Sequence, residues 1–156
     1  MNRRSEISFG GAEQLIAELG LAPHPEGGWF RETWRAPAAS PGDRDAATAI
    51  LFLLEKGQRS HWHRVDAAEL WLFHAGSPIT LKTAPTDNSE PATVLLGSNV
   101  LASQRPQHLV PAGHWQAAEV NEGWGLVACV VVPGFSFNGF ELAPAGWSPG
   151  APKDVL

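Results

Sequence analysis

Between Ser60 and Gly76 the chain carries His61, His63 and Glu69, with a turn pair, Asp66-Ala67, between the histidines and the glutamate. On a β-strand, residues two apart point to the same face, so His61 and His63 are expected to project together and converge on one ion or one substrate atom. The turn brings the next strand back antiparallel, where Glu69 can face the same interior. Two imidazoles and a carboxylate suit a facial site for a divalent ion such as Fe, Mn, Ni or Zn, with positions left open for substrate. The same groups also suit metal-free proton transfer, because imidazole titrates near neutral pH and burial can shift a glutamate to act as an acid. The bland alternative is a pair of hydrogen-bonded strand histidines that share no ligand.

Two further windows add candidates. In Val110-Pro111-Ala112-Gly113-His114-Trp115-Gln116, a turn runs into a strand with His114 and Gln116 on one face, and the Gln116 amide oxygen can ligate a metal or bind substrate. In His24-Pro25-Glu26-Gly27-Gly28, the proline and glycines set a turn. That turn can place Glu26 and His24 at a pocket mouth, with Arg31 available to an anionic substrate group. Strict alternation groups Arg31, Thr33 and Arg35 on one face and Phe30, Glu32 and Trp34 on the other, and leaves either face open to the pocket. Trp71 has the parity of Glu69 and can line the pocket, whereas Trp62 and Trp115 pack outward if the histidines point in. His74 and His108 read as structural. The candidate catalytic residues are therefore His63, Glu69 and Glu26. The substrate-binding candidates are His24, Arg31, Trp71 and Gln116, and the candidate metal set is His61, His63, Glu69 and Gln116.

These residues need a scaffold, and the sequence supplies mostly strands. One helical period, Ala12, Leu15, Ile16 and Leu19, predicts an amphipathic helix over residues 11–19 that Gly20 ends. After it come ten apolar or alternating segments: Trp29–Arg35, Thr48–Glu55, His61–Val65, Ala68–Ala75, Ile79–Thr83, Thr93–Leu96, His108–Val110, Trp115–Val120, Leu126–Val132 and Phe135–Leu142. Gly and Pro punctuate them, as in an all-β sandwich or barrel.

Composition bounds the rest. With 156 residues, 44% hydrophobic and 17% charged, the chain suits one globular domain, expected over 11–143, with 1–10 and 144–156 as terminal extensions. A net charge of −5 argues against a nucleic-acid or anionic-membrane partner, since both need clustered cations and Arg3-Arg4 is the only short basic pair. The single Cys129 lies in an apolar run and reads as a buried, inert thiol suited to a reducing compartment. No signal-like apolar stretch follows Met1–Glu6, so a cytoplasmic location is expected.

The motif windows resemble the cupin superfamily, whose first motif is Gly, His-x-His, a following Glu, then a Gly. Here Glu69 and Gly76 keep that spacing, while the step from His63 to Glu69 is one or two residues longer than usual. The second motif matches at Pro111 and Gly113 but puts Gln116 where the third metal-binding histidine belongs. More closely, residues 21–33, 60–76, 110–118 and 132–137 are similar to the Cupin_5 (DUF985) subfamily. That resemblance implies a double-stranded β-helix (jelly-roll) barrel with one short N-terminal helix, a homodimer, and a small-molecule ligand. It names no reaction. Many relatives carry an Asp before the Glu where this chain has Ala68. The related sugar-nucleotide epimerases use a His base with a Tyr acid, and this chain has no Tyr. The open readings are an isomerase- or epimerase-type enzyme acting on a sugar-like or other small polar metabolite by proton transfer, a metal-dependent cupin oxygenase, and a non-enzymatic metabolite-binding or sensing module.

Overall fold

The computed structural model describes residues 11–150; the remaining terminal residues, including Arg3-Arg4, lie outside the described part. The helical period forms α1 (Ala12–Leu19), closed by Gly20 in the left-handed conformation at φ 65°. Its apolar stripe, Ala12, Leu15, Ile16 and Leu19, packs with Leu21, Leu53 and Trp29 on the outside of a sheet.

Two antiparallel sheets follow. One runs in the order β1 (Ala22–Pro23), β2 (Trp29–Ala36), β3 (Ala47–Glu55), β10 (Trp124–Val132), β5 (Ala68–Gly76) and β8 (Gln107–Val110). The other runs β11 (Phe140–Leu142), β4 (Arg59–Val65), β9 (Trp115–Val120), β6 (Ile79–Ala84) and β7 (Ala92–Leu96). Inward residues of both sheets make one core, including Phe52, Leu54, Trp71, Ile79, Leu81, Ala118 and Val127. This is the jelly-roll arrangement that the pattern of short strands predicts.

Two departures from the expected strands have physical causes. The expected strand Phe135–Leu142 is a loop, a short 3-10 turn at Phe137–Gly139, and only then β11. Fixed partners outside any ladder hold that loop: Thr48 Oγ1 accepts from the Phe135 amide at 2.9 Å, and Arg44 Nε donates to the Gly134 carbonyl at 2.6 Å. The tail beyond Ala143 folds back as well. Trp147 stacks on Trp115 at 4.5 Å between ring centroids, and the Gly150 amide donates to the Asp87 carbonyl. Trp62, Trp115 and Ala143 thereby form a small cluster on the outer face of the second sheet, the direction expected for both tryptophans.

The two sheets do not close into a barrel, and two β-bulges decide which side chains point into the space between them. On β4, Ser60 pairs with Ala118 and His63 with Gln116, so three steps on one strand oppose two on the other. On β2, Glu32 pairs with Ile50 and Trp34 with Ala49, so Thr33 is the extra residue. Each bulge reverses the inward-outward parity beyond it.

Candidate functional site

The site grows from the β4 bulge. The inserted residue leaves backbone groups free of the ladder, and both of His61's are used: its N–H donates to the Glu26 carbonyl at 2.8 Å, and its carbonyl accepts from His63 Nδ1 at 2.7 Å. The strand thus anchors the loop that carries Glu26 while it orients the His63 ring. The loop needs its glycine here: Gly27 has φ 107°, and a Cβ on it would lie 1.9 Å from the Arg59 carbonyl oxygen.

His63 Nε2 faces Glu26 Oε2 at 2.9 Å, with both side chains buried. Both nitrogens of His63 therefore meet acceptors, and only an imidazolium can donate from both. Burial works against that charge, but the Glu26 carboxylate and its hydrogen bond, the nearby Glu69 and the His61 carbonyl raise the His63 pKa to about 9. Burial alone would also push Glu26 up. The charge and hydrogen bond of His63, with His24 close by, outweigh it and hold Glu26 below its ordinary value.

Glu69 has the opposite balance. Burial, the largest effect, and repulsion from Glu26 push it up to about 7, against the pull of His63 and of its hydrogen-bond donors. One donor is Gln116, whose Nε2 gives a bond to Glu69 Oε1 at 2.7 Å, while Gln116 Oε1 accepts from Trp71 Nε1 at 2.8 Å. Two buried carboxyl groups of one site are thus tuned in opposite directions.

Glu26, His63 and Glu69 line a cavity of about 110 Å³ together with His24, Glu32, Arg35, Thr48, Ile50, Val65, Val131 and four phenylalanines. The phenylalanines, Phe30, Phe135, Phe137 and Phe140, make most of the wall apolar.

The three catalytic candidates, His63, Glu69 and Glu26, are thus brought together, and His24 joins them. Other expectations need correction. His61 does not share a site with His63, because the bulge turns it to the opposite side, where its Nε2 meets the Pro144 carbonyl at 2.9 Å. Arg31 lies on the outer face of β2 and donates to the Leu19 carbonyl at the C-terminus of α1, so it does not reach the cavity. Trp71 is core, 1% exposed, and with Gln116 it lies behind Glu69 rather than on the cavity wall.

Strict alternation puts Glu32 and Arg35 on opposite faces, whereas they line the mouth together. Phe30 and Glu32 face in before the β2 bulge and Arg35 faces in after it. Arg35 binds Glu32 at 2.7 Å and Asp45 at 3.0 Å. No periodicity signals a bulge. Thr48 and Ile50 were legible, since they share the inward parity of Phe52 and Leu54 on β3.

The expected metal set does not converge. His61 is elsewhere, the His63 nitrogens are both committed as donors, and the Gln116 amide oxygen is occupied by Trp71. Among the described residues, no group of three or more His, Cys, Asp or Glu could hold a metal ion. The donors present therefore do not fit the metal that the superfamily motif implies.

Comparison with known proteins agrees with this architecture. The Cupin_5 family pattern, described as Cupin superfamily (DUF985), matches residues 13–143, and the chain belongs to that family. A Shewanella oneidensis protein of known crystal structure is 40% identical, with a TM-score of 0.80, over 85% of this chain and 84% of that one. A hypothetical protein from Leishmania major is 32% identical, with a TM-score of 0.76, over 84% and 86% of the two chains. Oxalate decarboxylase from Bacillus subtilis shares the fold at 16% identity and a TM-score of 0.58, over 77% of this chain and 29% of that enzyme. Oxalate decarboxylase has Mn(II) centres. No curated protein matches the chain. No helix among the described residues is long and apolar enough to cross a membrane.

Proposed function

We propose that the protein is an isomerase- or epimerase-type enzyme that moves a carbon-bound proton of a small polar metabolite. The observation behind this reading is the pair of buried carboxyl groups in one cavity, Glu26 held ionised by His63 and Glu69 raised to about 7. A carboxylate kept ionised to act as base and a second carboxyl that still holds a proton near neutral pH to act as acid are what such chemistry requires. The Glu26 carboxylate accepts the proton from the carbon beside a carbonyl. The C–H electron pair becomes the new C=C bond, and the carbonyl π pair moves onto oxygen beside the His63 charge. Collapse of that enolate takes the proton of Glu69 onto the same carbon to give the epimer. Where that carbon carries a hydroxyl, its O–H proton passes to the enolate oxygen, the hydroxyl carbon becomes the new carbonyl, and the proton of Glu69 adds to the former carbonyl carbon to give the isomer. Solvent then resets the two carboxyl groups.

Incubation in D2O with a panel of small carbonyl metabolites and sugars, followed by proton NMR, tests the reading. Wild type is expected to exchange a carbon-bound proton of at least one compound, with the rate falling by about 10²-fold or more in Glu26→Gln and Glu69→Gln. Binding without exchange across the panel would support the sensing module instead, and exchange or oxidation only after added Fe or Mn would support the metal-dependent alternative.

We further propose that the homodimer expected from the family forms along the edge of β2. Among the described residues β1 covers β2 only at Trp29 and Phe30, with no other strand on that edge, and the neighbouring Trp34 is 54% exposed. Light scattering of wild type against Trp34→Glu tests this, with a dimer that dissociates in the variant as the expected result.

A further inference from the structure

We propose that His24 receives the substrate, donating its Nε2–H to the carbonyl oxygen of a small, uncharged hydroxycarbonyl compound. This names the substrate class of the proton-transfer site above and rests on that reading for the chemistry, though not for the recognition.

The tautomer of His24 is fixed by its own loop. The Glu26 backbone N–H donates to His24 Nδ1 at 3.1 Å, so Nδ1 is the bare nitrogen and the ring proton sits on Nε2. The loop is closed on both sides, with the His24 amide donating to the Gly28 carbonyl at 3.0 Å and the Gly27 amide to the His24 carbonyl at 3.0 Å. The ring is held edge-on by Phe30, 4.4 Å away between centroids, and by Phe52 and Phe140 further out. His24 lines the cavity, and among the described residues no protein acceptor takes its Nε2. Burial lowers its affinity for a second proton, Glu26 opposes this, and His63 adds to the lowering, so the ring stays neutral. A fixed neutral donor on the wall of a mostly apolar cavity is an arrangement that stabilises charge developing on a carbonyl oxygen.

Charge and size narrow the ligand further. Among the described residues the cations on the cavity wall are His63 and Arg35, and both are engaged: His63 with Glu26, Arg35 with Glu32 and Asp45. Glu26, Glu32 and Glu69 share the same wall, so a carboxylate or phosphate would meet carboxylates and no free cation. A cavity of about 110 Å³ is smaller than the ~150 Å³ that holds a benzene ring, so its enclosed part takes about five or six non-hydrogen atoms. The phenylalanine walls suit the uncharged carbon chain of such a molecule.

The experiment uses the full chain labelled with ¹⁵N-histidine. Long-range proton–nitrogen correlation between pH 7 and 8 is expected to show His24 with a bare Nδ1 and a protonated Nε2. Hydroxyacetone, added as the probe, is expected to shift the His24 Nε2–H resonance saturably. Glycolate, with the same number of heavy atoms and a negative charge, is expected to leave it unmoved. His24→Asn keeps a side-chain acceptor for the Glu26 amide and draws the donor back from the position of Nε2, so it should weaken hydroxyacetone binding by about tenfold or more; His24→Gln, whose amide N–H reaches further, should restore part of it. A proton on Nδ1, no hydroxyacetone binding, glycolate binding as tight as hydroxyacetone, or unchanged binding in His24→Asn would each overturn the proposal. Hydroxyacetone bound through His24 with no exchange of any carbon-bound proton in D2O would support the recognition and defeat the proton-transfer reading.

Discussion

His63 and Glu26 meet at 2.9 Å inside the jelly roll, one from β4 and the other from the loop before β2, with side chains 3% and 7% exposed. A pair so buried has its desolvation offset only while both partners are present. His63→Ala is therefore expected to destabilise the fold by about 3–5 kcal/mol, because it leaves Glu26 charged and alone. Adding Glu26→Gln to that variant should recover part of the loss. Urea midpoints of the two singles and the double measure the coupling; simple additivity would contradict it.

Glu69 gives the stability curve a second signature. Its folded pKa is raised from 4.5 to about 7, so between those values the folded state holds a proton that the unfolded chain has lost. Stability from this group therefore falls as pH rises from 4.5 to about 7, by up to about 3 kcal/mol, and then levels. Glu69→Gln, which mimics the protonated form and can still accept from Gln116, should flatten that window. Urea unfolding at pH 5 and pH 7 checks the difference.

Gln116 is a strut rather than a ligand. Gln116→Leu leaves the buried Trp71 Nε1–H without an acceptor and removes a donor from Glu69, at about 1–3 kcal/mol for each orphaned group. Losing that donor also raises the Glu69 pKa further, so the alkaline limb of any pH–rate profile, where the acid Glu69 loses its proton, moves up. A stability loss with an unmoved limb would mean that Glu69 does not titrate in catalysis.

His61 supplies the test of the metal question. Its side chain bonds the Pro144 carbonyl on the outer face, so His61→Ala should cost about 0.5–1.5 kcal/mol and leave the cavity's binding and turnover intact. Mass-spectrometric metal analysis of untagged wild-type protein is expected to show no stoichiometric divalent ion. Near-stoichiometric metal that vanishes in His61→Ala would restore the His61, His63, Glu69 and Gln116 set.

The contrast between His61 and His63 shows how far the sequence could be read. Strand positions, the single helix and the motif residues follow from periodicity and turn chemistry, and so does the convergence of Glu69 with His63. The bulges do not, since one extra residue on a strand leaves no mark on hydrophobic alternation. That blind spot accounts for His61 being expected inside and for Arg35 parting from the face of Arg31; Arg31 itself precedes the β2 bulge, and it lies outside because Phe30 and Glu32 are the residues of β2 that face in there. Trp71 is a different case: it has the expected parity, but Gln116 and Glu69 stand between it and the cavity, and parity says nothing about depth.

The protonation of His63 carries the whole assignment, because it keeps Glu26 a base and leaves Glu69 as the acid. Nitrogen-detected NMR titration of His63 measures it directly. The structure predicts N–H protons on both ring nitrogens at pH 7, titration near pH 9, and a marked fall in that pKa in Glu26→Gln. A neutral His63 at pH 7 with one bare nitrogen would contradict the account and reopen that nitrogen as a base or a metal ligand.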